Sequence, residues 1–83
     1  MNYIYVLESD IDRSWYIGRT SDIMRRLKEH NSGNSIYTNK KRPWKLIYIE
    51  GYIDIKDAKG RERYLKSGAG RIKLKEQLKN YLF

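Results

Sequence analysis

The sequence predicts a small α/β domain in which a three-stranded, mostly antiparallel sheet is flanked by helices, in the order β-β-α-β-α-α. Two early segments alternate in polarity and are rich in aromatic and β-branched residues, and a third apolar run follows the only proline. The remaining segments repeat apolar residues at intervals of three and four, as helices do. A chain of 83 residues is expected to form one domain, spanning residues 1–83.

The first two strands are predicted at Asn2–Ser9 and Trp15–Thr20. The polar link Asp10–Ser14 is short, so it is expected to join them as an antiparallel hairpin. Alternate residues of a strand point to opposite faces. Tyr5 and Tyr16 therefore share a face if the strand pairing aligns them.

The third strand is predicted at Trp44–Tyr52, entered through Pro43, which cannot continue a ladder of hydrogen bonds. Residues 46–49 of this strand are apolar on both parities. A strand of that kind is expected at the centre of a sheet, where both of its faces are covered.

Three helices complete the prediction. The first is expected to start at Thr20-Ser21-Asp22, with a hydroxyl cap and then an acid in its first turn. The second is capped by Asp54. The first predicted helix ends at about Asn31 and the second at about Lys66. The third spans Arg71–Leu82, after a glycine-rich break at Ser67–Gly70.

The charge is strongly basic, with 18 lysines and arginines against 10 acids and a formal net charge of +8. The first 18 residues hold three acids against one arginine, so the positive excess lies in residues 19–83. A basic surface of this size favours a polyanionic partner, and nucleic acid is the commonest one.

Several classes of site are excluded by composition. With no cysteine, the chain has no disulfide, no thiolate zinc site and no cysteine nucleophile, and its single histidine, His30, excludes a multi-histidine metal site. No apolar run approaches the ~20 residues of a membrane span. We expect a soluble, cytoplasmic protein without a membrane partner, acting as a monomer or weak dimer.

Glu62 lies on the apolar stripe of the second predicted helix, between Ala58 and Leu65. Burying a carboxylate is costly unless a cation or several donors meet it. One interpretation is structural: an ion pair with Arg26, Arg61 or a lysine, or a stripe whose edge is exposed to water. The other is a hard-cation ligand, because one carboxylate with waters and phosphate oxygens makes an ordinary magnesium site.

Tyr5 and Tyr16 are candidate proton acceptors, although a phenol is a poor base unless cations or a metal stabilise its anion. Both are also ordinary strand residues. Gly18 removes a side chain where another group approaches the backbone closely, or permits a bulge.

Arg19 and Arg26 are candidates for binding phosphate and offsetting transition-state charge, or they lie on a solvated face. His30, one turn beyond Arg26, could orient or deprotonate a tyrosine, relay a proton, or cap helix carbonyls. The loop Ser32–Arg42 combines an aromatic ring with cations, which is typical of nucleic-acid contacts. Its candidate contact residues are Tyr37, Lys40, Lys41 and Arg42.

Taken in order, these motifs resemble the GIY-YIG nuclease family, most closely its small stand-alone bacterial members, which are related to the N-terminal nuclease domain of the excision-repair endonuclease. The family motifs correspond to Tyr3-Ile4-Tyr5 and Tyr16-Ile17-Gly18, followed by Arg26, His30 and Glu62, with Asn80 as the candidate for a late supporting asparagine.

The resemblance implies a metal-dependent endonuclease that hydrolyses phosphodiester bonds in DNA, with a role in DNA repair or processing. It implies one Mg²⁺ or Mn²⁺ ion held by Glu62, a general base and its partner in Tyr5 and Tyr16, and phosphate contact by Arg26 with help from His30 and Arg19. The alternative is a non-catalytic nucleic-acid-binding module with the same fold.

Overall fold

The computed structural model describes residues 1–82, which form an α/β domain around a three-stranded antiparallel sheet of order β2-β1-β3. This confirms the predicted fold class and element order. A single turn of 3₁₀ helix, Asn39–Lys41, precedes the third strand. The strands are β1 (Asn2–Ser9), β2 (Trp15–Thr20) and β3 (Trp44–Tyr52), and the helices are α1 (Ile23–Asn31), α2 (Ile55–Lys66), α3 (Gly68–Gln77) and α4 (Lys79–Leu82).

The prediction that Trp44–Tyr52 is the central strand is wrong, because β1 lies between the other two strands. Residues 4–9 of β1 are all buried, whereas β3 is mostly half-buried and its Ile49 is 45% exposed. Tyr48 and Tyr52 of β3 donate their hydroxyls to the carboxylate of Glu50, at 2.6 and 3.1 Å. Leu46 packs on one face of the sheet and Ile47 on the other, so an edge strand can be apolar on both parities when helices cover both faces.

Each face of the sheet carries its own hydrophobic cluster. On one face, Tyr5, Leu7 and Trp44 pack beneath α1, which contributes Ile23 and Leu27. On the other face, the cluster joins the sheet to α2 and α3 through Ile4, Val6, Ile17, Ala58, Leu65 and Leu74. The sheet is thus covered on both sides, as α/β layering requires.

Helix α1 begins later than predicted. Its N-cap is Asp22, whose side chain accepts a hydrogen bond from Arg25 N–H, and it has no acid in its first turn. The hydroxyl of Thr20 instead accepts the N–H of Asp22 at 3.1 Å, which stabilises the turn before the helix. Gly33 follows the C-cap with φ of +86°, a conformation that favours glycine after a helix.

Helices α2 and α3 meet at Ser67, which ends one and caps the other. Its side chain accepts the N–H of Gly70 at 3.2 Å, so α3 starts at Gly68 and not at Arg71. The predicted break at residues 67–70 is therefore a single residue wide. The third helix also ends earlier than predicted, at Gln77, and α4 follows after the C-cap Leu78.

Within residues 1–82, no helix has both the length and the apolar character needed to cross a membrane.

Candidate active site

Tyr5 and Tyr16 lie on the same face of the hairpin, because Tyr5 pairs with Gly18 and Tyr16 pairs with Leu7. Their ring centroids are 6.2 Å apart. A Cβ atom at Gly18 would stand 2.5 Å from Cζ of Tyr5. Gly18 therefore leaves room for the Tyr5 ring to cross β2, which is the close approach that a glycine in a strand indicates.

His30 is fully buried at the end of α1 and joins the tyrosines to the loop that follows. Its Nε2 shares a hydrogen bond of 3.0 Å with the Tyr5 hydroxyl, and its Nδ1 shares one of 2.7 Å with Thr38 Oγ1. The Tyr16 ring lies 4.8 Å from the imidazole, centroid to centroid. His30 therefore contacts both tyrosines and does not serve as a simple helix cap.

Thr38 is the site residue that the sequence did not reveal. It is fully buried, and its carbonyl accepts the indole N–H of Trp44 at 2.9 Å. Trp44 is anchored in turn by Asn31, whose side chain accepts the Trp44 N–H at 2.6 Å and donates to its carbonyl at 2.9 Å. A threonine in a polar loop carries no periodic signal, so only the fold shows that it orients the imidazole.

Burial keeps both members of the Tyr5–His30 pair neutral. It raises the pKa of Tyr5 to about 12, and the charge of Glu62 adds to the rise while the Arg26 guanidinium opposes it. Burial also lowers the pKa of His30 to about 4, with the positive charge of Arg26 acting in the same direction. At neutral pH the pair is a phenol hydrogen-bonded to an uncharged imidazole.

Arg26 lies on α1, half-buried beside this pair. Its guanidinium donates to Glu29 at 3.2 Å, one turn along the same helix, and its charge acts on both Tyr5 and His30. It does not pair with Glu62. An arginine with one carboxylate partner keeps donors for a second anion, because the guanidinium has five N–H groups.

Glu62 approaches from α2, on the other side of the sheet, and forms two ion pairs. Arg19 Nε donates to Oε1 at 3.2 Å, and Lys66 Nζ donates to Oε2 at 2.9 Å. The ion-pair interpretation is therefore confirmed, with Lys66 as the lysine and Arg19 as a further partner. Arg61, the other arginine considered, binds Glu50 at 2.7 Å.

The metal-ligand interpretation of Glu62 stays a prediction. Among the described residues no group of three or more histidine and carboxylate side chains could enclose an ion. The Glu62 carboxylate is 19% exposed and opens into a shallow depression of about 310 Å³ that is otherwise lined by basic side chains. One partly exposed carboxylate suits Mg²⁺, which keeps several waters and takes its other ligands from phosphate.

The predicted nucleic-acid contacts are exposed but not equally available. Tyr37 is 86% exposed, and Lys40 is exposed beside it. Lys41 already forms an ion pair with Asp12 at 3.0 Å, and Arg42 donates to the Asn39 carbonyl at 3.0 Å. The loop thus presents an aromatic ring and cations next to the buried Thr38.

Asn80 lies on α4 and is exposed. No hydrogen bond among residues 1–82 joins it to the tyrosines, His30 or Glu62. Helix α4 is instead tied to the hairpin by Tyr81, whose hydroxyl donates to Glu8 at 2.6 Å. The structure does not bring Asn80 together with the other site residues.

Two tyrosines, a buried histidine, an arginine and a carboxylate around the hairpin define a domain of the GIY-YIG class. Residues 1–76 match the family model described as the GIY-YIG catalytic domain, and the chain belongs to that family, which includes nucleases.

Its relatives are small proteins named UPF0213. One from Clostridium perfringens is 40% identical over 67 residues, which is 80% of this chain and 71% of the relative. Another, from Syntrophus aciditrophicus, is 39% identical over 80 residues, covering 92% and 91%. A relative from Streptococcus pneumoniae is 48% identical, and the match spans 65% of its length. The solution NMR structure of a UPF0213 protein from Bacillus halodurans, 34% identical, superposes with a TM-score of 0.58 over 93% of this chain and 85% of the other.

Proposed function

We propose that this protein is a metal-dependent endonuclease that hydrolyses phosphodiester bonds in DNA, acting in DNA repair or processing. The observation that carries the proposal is the buried hydrogen-bonded chain Tyr5–His30–Thr38, beside which both the Arg26 charge and the Glu62 charge act on the phenol. A phenol with its own proton acceptor, next to a cation and a carboxylate, is equipped for general-base catalysis on a phosphate ester.

Tyr5 is the general base in this proposal, and Tyr16 is its partner. When His30 carries its proton on Nδ1, that N–H donates to Thr38 and Nε2 accepts the proton of Tyr5. The Tyr5 oxygen can then take a proton from the attacking water as its own proton passes to Nε2. A substrate phosphate bound at Arg26 would offset the Arg26 charge that otherwise disfavours the resulting imidazolium.

Arg26 and Arg19 bind the phosphate in this proposal. Both guanidiniums are partly exposed, at 33% and 30% of the side chain, and each has one carboxylate partner. Extra charge on the phosphate oxygens during attack strengthens hydrogen bonds from fixed donors, which lowers the barrier. Gly18 contributes by holding the position of Tyr5.

Glu62 is the residue that would hold the single Mg²⁺ or Mn²⁺ ion. Such an ion supplies Lewis-acid stabilisation of the phosphate and leaving oxygen. Arg19 and Lys66 compete for the same carboxylate, so we expect the protein alone to bind the ion weakly and the substrate phosphate to strengthen binding.

The exposed loop supplies contacts outside the reacting phosphate. Tyr37 can stack on an unpaired base, and Lys40 with Lys41 and Arg42 can meet neighbouring phosphates. Lys41 contributes only by exchanging its ion pair with Asp12. This proposal assigns no role to Asn80.

The test is nicking of supercoiled plasmid with Mg²⁺ or Mn²⁺ by the wild type, by Glu62→Ala and by a matched control, Glu76→Ala, which removes an exposed carboxylate from α3. The wild type and Glu76→Ala should nick at the same rate. Glu62→Ala should lose about 100-fold or more, the scale of removing one group that stabilises transition-state charge. Wild-type nicking by Glu62→Ala would overturn the assignment.

The two ion pairs of Glu62 favour one competing function, a nucleic-acid-binding module without turnover. A carboxylate already neutralised by Arg19 and Lys66 has a structural role that needs no metal. Salt-dependent DNA binding without nicking, across several metals and substrates, would establish this second function.

A further inference from the structure

A second cleft lies on the other face of the sheet from Tyr5 and Tyr16, at the hairpin end of β1 and β2. Its volume is about 670 Å³, twice that of the depression at Glu62. Trp15 lines the cleft, and Tyr16 follows it directly on β2, so the two side chains point to opposite faces. The cleft and the candidate active site therefore flank the same free edge of the sheet.

One buried acid organises the cleft. Glu8 is only 3% exposed, which is unusual for a carboxylate, and it accepts three hydrogen bonds, two at Oε1 and one at Oε2. The donors to Glu8 are Arg13 at 3.1 Å, the Trp15 indole N–H at 3.0 Å and the Tyr81 hydroxyl at 2.6 Å, and Lys45 lies 3.7 Å away. The carboxylate therefore pairs with Arg13 and has Lys45 nearby, which holds both cations at the cleft.

The cleft carries more positive charge than Glu8 can neutralise. Arg71 and Lys75, one turn apart on α3, also line it, which gives four cations against one acid among the residues that the structure describes. Within residues 1–82, neither Arg71 nor Lys75 forms an ion pair. Cations that converge on a concave surface without anions repel one another, and a bound polyanion relieves that repulsion.

Arg13 is held towards the cleft by an uncommon backbone conformation. Its φ is +63°, in the left-handed region that glycine occupies more readily than other residues. Its N–H donates to the Ser9 carbonyl at 3.0 Å, and its guanidinium, though bonded to Glu8, is 71% exposed. Arg13 therefore occupies the left-handed position of the turn, and its exposed guanidinium keeps N–H donors at the cleft.

We propose that this cleft is a separate binding site for the phosphodiester backbone of single-stranded nucleic acid. Four cations from the hairpin turn, β3 and α3 around one cleft match a chain of phosphates better than a single phosphate ion, and the 45% exposed Tyr81 offers a ring surface for an unpaired base. A strand bound here and passed over the free edge of β2 would reach the face of Tyr16. The site does not depend on the proposed nuclease activity, because binding needs no turnover.

The test compares two double variants of the full chain, each lacking two positive charges. Arg71→Ala with Lys75→Ala alters the cleft, and Lys73→Ala with Lys79→Ala alters exposed lysines outside its lining. Affinity for a fluorescein-labelled twelve-nucleotide oligo(dT) is measured in EDTA over a range of salt, so that cleavage plays no part.

The cleft variant should lose about tenfold or more in affinity. Its log–log salt slope should be shallower by about 1.4, since each neutralised phosphate of a single strand contributes about 0.7. The control should stay within about twofold of the wild type. Equal losses in the two variants, or no loss in either, would overturn the proposal.

The two tryptophans provide a second readout by NMR. The Trp15 indole N–H donates to Glu8 in the cleft, whereas the Trp44 indole N–H is buried against Thr38. On titration with oligo(dT), the Trp15 indole signal should shift and the Trp44 signal should stay. An unmoved Trp15 signal at saturation would contradict the site. Inorganic phosphate is the comparison ligand, and an affinity equal to that of the oligonucleotide would show a phosphate-ion site and overturn the strand proposal.

Discussion

The two faces of the sheet differ in charge: one buries uncharged hydrogen-bonded groups, and the other carries partly exposed ion pairs. Under α1, Tyr5, His30 and Thr38 form a buried chain of uncharged groups, whose hydrogen bonds are 3.0 and 2.7 Å long. On the α2 side, Glu62 is partly exposed and is held between Arg19 and Lys66. The first arrangement suits a proton that must move between fixed atoms. The second suits ions that must arrive and leave.

The difference shows how a small domain can assemble a site without a deep cavity. Proton transfer between Tyr5 and His30 needs two atoms held at a fixed distance, which β1 and α1 provide by burying both side chains completely or nearly so. Metal and phosphate binding needs exchange with water, so Glu62 and the arginines lie at the surface. Gly18 lies between the two regions. Because it has no side chain, the Tyr5 ring can lie across β2, the strand that also carries Arg19.

Gly18→Ala should have the largest structural effect on the buried region. The new Cβ would stand 2.5 Å from Cζ of Tyr5, a buried ring that has no room to withdraw. We expect a loss of about 2–3 kcal/mol in the free energy of unfolding, the cost of overpacking a core, measured by urea denaturation.

The matched control is Gly60→Ala in α2, where the added Cβ meets no atom within 4 Å. A helix-interior alanine should raise stability by up to about 1 kcal/mol. If Gly18→Ala is as stable as the wild type, the close packing of Tyr5 against β2 is wrong.

Acid should weaken the buried region before the exposed one. The pKa of His30 is about 4 in the folded protein against 6.5 for an unperturbed histidine, so the unfolded chain binds a proton that the folded chain excludes. Stability is therefore full above pH 6.5 and falls as the pH is lowered towards 4. We expect the melting temperature to decline between pH 7 and pH 5.

His30→Asn removes the titrating group and serves as the comparison over the same range. Its melting temperature should be lower at pH 7, because the hydrogen bonds of Tyr5 and Thr38 are disturbed, but nearly constant down to pH 5. The pKa values of the Glu8 and Glu50 carboxyls are lowered, so their contribution to stability is lost only at more acidic pH. If the melting temperatures of the two proteins fell in parallel with pH, His30 would not be the group responsible, and its burial would be contradicted.

Lys66→Met should have the smallest effect and concerns the exposed region. An exposed ion pair is worth about 0.2–1 kcal/mol, so freeing Glu62 from Lys66 should lower the Mg²⁺ concentration for half-maximal nicking by about 1.4- to 5-fold. Lys73→Met, which removes a lysine 3.8 Å from Glu76, is the control. An increased Mg²⁺ requirement for Lys66→Met alone would mean that the lysine assists the ion.

Sequence patterns predicted the local structure well. The three strands have the predicted bounds, and α2 runs from its Asp54 cap to Lys66 as expected. Strong local signals explain this success, since the strands alternate and the helix has a clear acidic cap. The order of strands was not predictable in the same way, because alternation tells which residues share a face and not which strand lies between the others.

The candidate site likewise contains residues that local patterns predict and residues that depend on the tertiary structure. Tyr5, Tyr16 and Gly18 follow from strand parity, and Glu62 stands out as an acid on an apolar stripe. Thr38 depends on a loop that folds back over α1, held by Trp44 and Asn31, and no periodic pattern encodes that contact. Arg19 as the partner of Glu62 depends on how α2 crosses β2, which only the tertiary structure shows.

The central claim is that the Tyr5 hydroxyl accepts the proton of the attacking water and passes its own to His30. Tyr5→Phe tests this most directly, because it removes one oxygen and keeps the ring against Gly18. Plasmid nicking with Mg²⁺ at neutral pH should fall about 100-fold or more relative to the wild type, the usual contribution of a general base. Tyr16→Phe should fall less. Nicking by Tyr5→Phe at the wild-type rate, in a protein that melts normally, would contradict the account.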